Sequence, residues 1–323
     1  MKKPISFGIV GTNFISDKFS EAAFSVKDAS LSAVYSRSAE KGSTFAKRHG
    51  IPTVHTSYED MLADKDIDAV YIASPTFLHK DMTVSALKAG KHCLTEKMIA
   101  LDYSEFCEMK NCANDCGLVL LEAMRSDYDE AFRLVENHLE KLSGIKDVCF
   151  EFCQYSSRYD AFKRGIVENA FNPKIKNSAL SDIGIYPLHL AVRLFGLPCR
   201  VKANSRFLEN GFEAEGTVSL IYNDKCVNIR YSKIKEGENV SRIAAENGYI
   251  EFGKINAPQK LSILIDGKEY ANEYSPMKNN MTAEIQTFCD TVRGKADNSR
   301  FLAVTEDTMK LVDMIYSIAN ITF

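Results

Sequence analysis

At 323 residues, and with roughly 150 residues to a domain, the chain is expected to hold two domains. Its 45% hydrophobic and 26% charged residues exclude disorder, collagen and coiled coil as the main architecture. A net charge of −3 argues against nucleic acid or an anionic membrane surface as partner, and no apolar run approaches the roughly 18 residues of a membrane span.

Met1-Lys2-Lys3 is basic, as a leader would be. The next residues include Pro4, Ser6, Gly8 and Gly11 and no small-residue cleavage site, so residues 5–10 read as a strand. That strand runs straight into Gly11-Thr12-Asn13-Phe14-Ile15-Ser16 and a helical period through Ile15, Phe19, Ala22, Ala23 and Val26. Residues 31–35 predict a second strand, followed by a helix through Phe45 and Ala46. The nearly all-apolar stretch 67–73 suits a strand buried on both sheet faces. A helix around 82–89 stops at Gly90, strands come next at 92–95 and 118–121, and a helix spans about 102–114 between them. Strand-helix alternation of this kind implies right-handed crossovers and a parallel sheet covered on both sides.

After Glu122 the rhythm changes. A helix over 129–141 leads to a strand at 148–154, then a polar, aromatic loop, Gln154-Tyr155-Ser156-Ser157-Arg158-Tyr159-Asp160, and a helix over 179–195. Residues 199–274 read as strands joined by turns at Asn223-Asp224, Asn247-Gly248 and Asp266-Gly267, and helices at 282–292 and 305–318 close the chain. The expected fold class is α/β. A doubly wound parallel sheet occupies 1–122, and an α+β domain with a large, mostly antiparallel open sheet occupies 123–323. The C-terminal helix is free to pack back on the first domain, and the two domains are expected to share a cleft.

Nine cysteines without regular spacing do not make a disulfide framework. Cys107, Cys112 and Cys116 step by five and four along a helix and do not converge three thiolates, so no metal is expected. The cysteines read as small buried side chains in a reducing cytoplasm.

The first strand-to-helix turn stands where a dinucleotide fingerprint, G-x-G-x-x-G/A, would stand, and keeps only its first glycine, Gly11. Asn13 holds the second position and tolerates a left-handed backbone better than most residues. Ser16 is small enough for close packing, and the helix N-terminus offers free N–H groups to a phosphate. At the end of the second strand, where NAD-specific sites place a carboxylate, the chain has Ser36-Arg37-Ser38. A hydroxyl and a guanidinium there suit a 2′-phosphate, so NADP(H) is preferred and NAD(H) stays possible.

Four motifs occur in order: Gly11-Thr12-Asn13-Phe14-Ile15-Ser16, Ser74-Pro75-Thr76-Phe77-Leu78-His79, Glu96-Lys97-Met98 and Asp182-Ile183-Gly184-Ile185-Tyr186. Over nearly its whole length the chain resembles the glucose-fructose oxidoreductase / inositol dehydrogenase / rhizopine-catabolism (Gfo/Idh/MocA) family. The resemblance implies a Rossmann domain followed by a domain whose open sheet often mediates homodimers or homotetramers. It also implies hydride transfer between nicotinamide and a hydroxyl-bearing carbon of a sugar, polyol or diol. Lys97 matches the family's active-site lysine and Asp182 the aspartate of Asp-x-Gly-x-His. Tyr186 stands where many members have the catalytic histidine; the glucose-fructose oxidoreductase and dimeric dihydrodiol dehydrogenase branches have tyrosine there, and the chain resembles those branches more. Gly11, Thr12, Asn13, Phe14, Ile15, Ser74, Pro75, Thr76, Glu96 and Lys97 itself fall to the cofactor by the same resemblance. His79 either joins them or serves as a cap or packing residue. The chain departs from the family pattern at Met98 for proline, Thr76 for asparagine, Asn13 for glycine and His189 for aspartate.

Asp182, Tyr186 and His189, spaced four and three apart, share a helix face that Arg193 continues, while Gly184 and Pro187 predict a distortion there. That face is either a polar stripe toward solvent or part of a site. A free tyrosine has a pKa of about 10, and the Lys97 ammonium beside Tyr186 would stabilise its phenolate. Asp182 would then orient Lys97 or bind a substrate hydroxyl. Arg158, Tyr159, Asp182 and His189 are candidates for a carbohydrate-like substrate, with Asn169-Ala170-Phe171-Asn172 lining the same cleft. The expected activity is that of an NADP(H)-dependent dehydrogenase or reductase on CH–OH groups. A non-catalytic NAD(P)-sensing regulator and an enzyme with tightly retained NAD(P) are the alternatives.

Overall fold

A computed structural model describes residues 3–270 and 274–323. Two compact units emerge: residues through Tyr128 with Asn279–Ala303, and Asp129–Lys278 with Val304–Phe323. The chain thus leaves the first unit at Tyr128 rather than Glu122, and its later segment 279–303 returns there.

In the first unit, β1 (Ile5–Val10), β2 (Ala29–Tyr35), β3 (Thr53–His55), β4 (Ala69–Ile72), β5 (His92–Glu96) and β6 (Leu120–Ala123) alternate with α1 (Phe14–Ala23), α2 (Ala39–His49), α3 (Tyr58–Ala63), α4 (His79–Lys88) and α5 (Tyr103–Cys116). The strands form one parallel sheet in the order β3-β2-β1-β4-β5-β6. All four residues of β4 are buried, as a strand covered on both faces requires. Strand β3 and helix α3 are additions to the expected elements; both are short and weakly patterned in sequence. Side-chain caps start the helices: Ser38 accepts from the Lys41 N–H and Asp102 from the Glu105 N–H. The core stacks Phe19 on Tyr71, ring centres 3.7 Å apart, with Phe7 against Phe19 and Phe288 against Phe7. Each such ring contributes about 1.5–3 kcal/mol on burial.

The second unit begins with α6 (Glu130–Leu139), capped by Asp129, then β7 (Ile145–Cys153) and α7 (Ser157–Lys163). Helix α7 replaces the loop expected at 154–160, because Ser156 caps it through the Arg158 N–H. Next come α8 (Ile185–Phe195), β8 (Arg200–Phe207), β9 (Glu213–Ile221), β10 (Cys226–Ser232), β11 (Ser241–Ala245), β12 (Gly248–Phe252), β13 (Leu261–Ile265) and β14 (Lys268–Glu269). They join β7 in an eight-stranded sheet in the order β14-β13-β12-β11-β7-β10-β9-β8. Its pairs are antiparallel except β7 with β10. Alternation puts Val227, Ile229, Val218 and Leu220 on a buried face, and Asn228, Arg230 and Thr217 on the more open one. The last helices are α9 (Met281–Val292), which lies in the first unit, and α10 (Ser299–Ile318).

Of the nine cysteines, only Cys93, Cys153 and Cys289 are buried; Cys116, Cys149 and Cys199 are exposed, which corrects the reading of all as buried fillers. Among the described residues no helix is long and apolar enough to cross a membrane.

Candidate active site

The β1–α1 turn needs Gly11. Its φ is +98°, and a Cβ there would meet the Ala73 carbonyl oxygen at 3.0 Å. Asn13 is extended, at φ −91° and ψ 179°, rather than left-handed. It works as a cap: Oδ1 accepts from the N–H groups of Ile15 (3.0 Å) and Ser16 (3.1 Å), while Nδ2 donates to the Ala73 carbonyl at 2.8 Å. Two N–H groups expected to be free for a phosphate are therefore taken by the side chain that replaces the fingerprint glycine. Ser16 is fully buried, as close helix–strand packing requires, and Phe14 is 70% exposed.

A cavity of about 300 Å³ opens beside this turn, lined by Gly11, Thr12, Asn13, Ser36, Arg37, Ser38, Lys41, Ser74 and Pro75. Ser36 Oγ accepts from the Ser38 N–H, which folds the end of β2 around the cavity. Arg37 and Lys41 are both exposed, and among the described residues neither has an ion-pair partner. No carboxylate lines the cavity. Lys41 is an addition to the residues expected here; it lies in the first turn of α2, where its N–H donates to the N-cap Ser38. Ser74 Oγ is buried without a hydrogen-bond partner among the described residues, the situation that a bound ligand relieves. The cations, the hydroxyls and this orphaned oxygen fit a phosphorylated nucleotide. Thr76 opens a short 3-10 turn, Thr76–Leu78, and is half-buried.

Lys97 follows β5 and is half-buried. The Lys97–Met98 peptide bond is cis although no proline is present. Carboxylates fix the main chain on both sides of it: Glu96 Oε2 accepts from the Lys97 N–H (3.2 Å), and Glu122 Oε1 accepts from the Ile99 N–H (3.0 Å). The Tyr71 hydroxyl donates to Glu96 Oε1 at 2.5 Å. Glu96 is thus a buried support of the turn, and its burial pushes its pKa up against the pull of Tyr71 and Lys97. Glu284, on α9, is fully buried; burial first, and then the charges of Glu96 and Glu122, push its carboxyl far up. His79 is buried too, its ring nitrogens 2.9 Å from the Met98 carbonyl and 2.8 Å from that of Ser74. It braces the loops after β4 and β5 against each other, and burial lowers its pKa.

In the second unit the expected distortion is a π turn, Leu180–Gly184, running directly into α8. Its close seat explains Gly184, where a Cβ would fall 2.9 Å from the Tyr231 ring. Glu213 Oε2 accepts from the Leu180 N–H at 2.9 Å and anchors the start of the turn; burial pushes this carboxyl up to about 7. Asp182 projects from the turn with its side chain 39% exposed, and its Oδ2 lies 2.8 Å from Lys233 Nζ. Lys233 is a cation that no motif in the sequence singles out.

The solvent-facing polar stripe is overturned. Tyr186 is 6% exposed and meets Phe152 edge-on, ring centres 5.7 Å apart. His189 is 1% exposed, with Nδ1 3.4 Å from Thr308 Oγ1. Arg193 forms a two-pronged pair with Glu136 at 2.9 and 2.7 Å. The π turn and Pro187 set these residues into the unit rather than along its surface. Arg158, on α7, is exposed and paired with Glu168 at 2.6 Å. Tyr159 packs on Phe171 at 5.7 Å between ring centres, which joins α7 to the 169–172 segment.

The family model described as "Oxidoreductase family, NAD-binding Rossmann fold" matches residues 5–123. The chain is 42% identical to scyllo-inositol 2-dehydrogenase (NADP(+)) IolU of Bacillus subtilis, over 80% of this chain and 79% of that protein. It is 35% identical to the uncharacterized oxidoreductase YgjR of Escherichia coli, over 99% and 98% of the two chains. Its fold is shared with KijD10, a 3-ketoreductase from Actinomadura kijaniata solved in complex with NADP and TDP-benzene, at a TM-score of 0.88 and 20% identity over 98% of each chain. Identity of this extent over most of both chains settles the kinship: the chain belongs to the Gfo/Idh/MocA family of oxidoreductases.

Proposed function

We propose that the protein is an NADP(H)-dependent oxidoreductase moving a hydride between nicotinamide and a hydroxyl-bearing carbon, and that its substrate is a polyol, most directly a cyclic one. The observation carrying this reading is the cavity at the end of β2, with two cations, Arg37 and Lys41, two serine hydroxyls and no carboxylate. A 2′-phosphate finds charge-assisted bonds there, whereas a bare ribose diol finds no carboxylate to accept from its hydroxyls. The cyclic polyol comes from the Bacillus subtilis relative, which is a scyllo-inositol dehydrogenase that uses NADP(+).

Bound nicotinamide supplies the hydride donor or acceptor. The protein must exchange the proton of the reacting oxygen, and we assign that work to Lys97 and Tyr186. Glu96 and Glu122 hold the Lys97 turn by its N–H groups, so the ammonium projects from a fixed main chain. Asp182, partly exposed and held by Lys233, is assigned to a substrate hydroxyl. Ser36, Arg37, Ser38 and Lys41 are assigned to the adenosine phosphate, and Arg158, Tyr159 and the 169–172 segment to the outer hydroxyls of the substrate.

A homo-oligomer in the cytoplasm completes the reading. Exposed Cys116, Cys149 and Cys199 suit a reducing compartment, and the open face of the eight-stranded sheet offers a surface for a second copy; light scattering after gel filtration would measure the assembly. The activity is tested by following reduced nicotinamide during incubation with NADP+ or NAD+ and a panel of inositols, aldoses and diols. Reduction of NADP+ by a cyclic polyol in preference to NAD+ is expected. Tight NADPH binding with no turnover across the panel would return the protein to the regulatory class.

A further inference from the structure

Lys233 lies immediately after β10 and is 4% exposed, an ammonium taken almost entirely out of water. Such a charge is tolerable only where its donors are all answered. Here Nζ sits 2.8 Å from Asp182 Oδ2 and donates to the Ala170 carbonyl at 2.7 Å. The rings of Phe171 and Phe212 flank it at 5.0 and 5.3 Å. Its main chain is pinned as well: the N–H donates to the Ala214 carbonyl at 2.9 Å, and the carbonyl accepts from the Ser156 N–H at 3.0 Å, at the head of α7. One residue therefore ties together the π turn bearing Asp182, the 169–171 turn, and the helix bearing Arg158 and Tyr159.

We propose that Lys233 is a positioning residue for the reaction. It fixes one oxygen of Asp182 and sets the segments around the substrate in register with that carboxylate. An exposed lysine could swing away from its partner; one caged by two rings and a carbonyl cannot, so the direction of Asp182 is set by the cage. The inference rests on Asp182 meeting the substrate, and the experiment separates the two ideas.

The test is a double-mutant cycle of Asp182→Asn and Lys233→Met, read as kcat and KM with NADP+ and the polyol that the wild-type protein turns over fastest. Each single variant is expected to lower kcat/KM for the polyol about 10–100-fold, the scale of one charged hydrogen bond. The double variant should be within about twofold of Asp182→Asn alone, because Lys233 acts through Asp182. NADPH affinity should not move in any of them, and Lys233→Arg, which keeps the cation, should recover part of the loss. Should Lys233→Met lose its cooperative melting transition, Lys233→Arg takes its place in the cycle, where a loss that disappears on the Asp182→Asn background supports the proposal. Losses that multiply in the double variant, or a Lys233 variant as active as wild type beside an impaired Asp182→Asn, overturn it. Wild-type kcat/KM in Asp182→Asn overturns instead the reading of Asp182 on which it stands.

Discussion

The Lys97 turn of the first unit and the Asp182 turn of the second are both held by buried carboxylates that accept main-chain N–H groups, but with different electrostatic support. Glu96, under Lys97, has the Tyr71 hydroxyl on one oxygen and the charges of Lys97 and Arg125 nearby. Glu213, under the π turn, accepts from neutral donors, the Leu180 N–H and, at 3.3 Å, the Ser205 hydroxyl. Burial is the largest influence on both carboxyls: it pushes Glu96 up against those charges and brings Glu213 to about 7. The first turn supports a cation, Lys97, over a buried carboxyl whose pKa burial pushes up. The second supports an anion, Asp182, through a caged lysine and keeps its own anchoring carboxyl close to neutral.

Removing the cation at the centre of this comparison should have the largest effect. Lys97→Met is expected to lower kcat about 10²–10⁴-fold, the range for loss of a proton-transfer group. The Kd for NADPH, from fluorescence titration, should change by less than about threefold, since charged contacts at the adenosine end remain. Tyr186→Phe should cost about 10²-fold in kcat, without change in melting temperature beyond that of one buried hydroxyl. A Tyr186→Phe enzyme with normal kcat would leave Lys97 as the sole proton-exchanging group.

The carboxyl that anchors the π turn predicts a response to pH. A carboxyl whose pKa is higher folded than unfolded contributes stability that is complete below the unfolded value, near 4.5 for Glu213, and is lost as pH rises through about 7. Glu213→Gln removes this titration. The variant and wild type should melt together near pH 5, and the variant should melt higher at pH 8, by up to about 3 kcal/mol at 1.36 kcal/mol per pKa unit. A gap independent of pH would mean that Glu213 stays ionised. The smallest effect is expected at the cofactor turn. Asn13→Ala removes an N-cap and should cost about 1 kcal/mol of stability, visible as a lower melting midpoint.

The legibility of these features in the sequence tracks the distance along the chain between partners. Gly11, Ser16, Arg37 and Lys97 sit in strand-end motifs whose partners are a few residues away or on the adjacent parallel strand, so pattern and spacing locate them. Asn13 and its local cap on Ile15 and Ser16 lie within the motif, but its second bond does not: Nδ2 donates to the Ala73 carbonyl of another strand end, 60 positions along the chain. His79 and Glu96 stand out in the sequence as polar residues near a site, and burial turns them into braces. Lys233 carries no local signal at all, because its aromatic cage and its carboxylate are assembled from three separate segments. The helix at α7 is hidden by its short length and aromatic content.

The proposed NADP(H) preference rests on the cations at the end of β2. It is tested most directly by titrating the protein and its Arg37→Ala variant with NADPH and NADH, following nicotinamide fluorescence. The wild type is expected to bind NADPH more tightly than NADH. An approximately 10–100-fold loss for NADPH is expected in the variant, the scale of a charge-assisted phosphate contact, with NADH affinity within about twofold. Equal affinities for the two nucleotides, unchanged by Arg37→Ala, would contradict it.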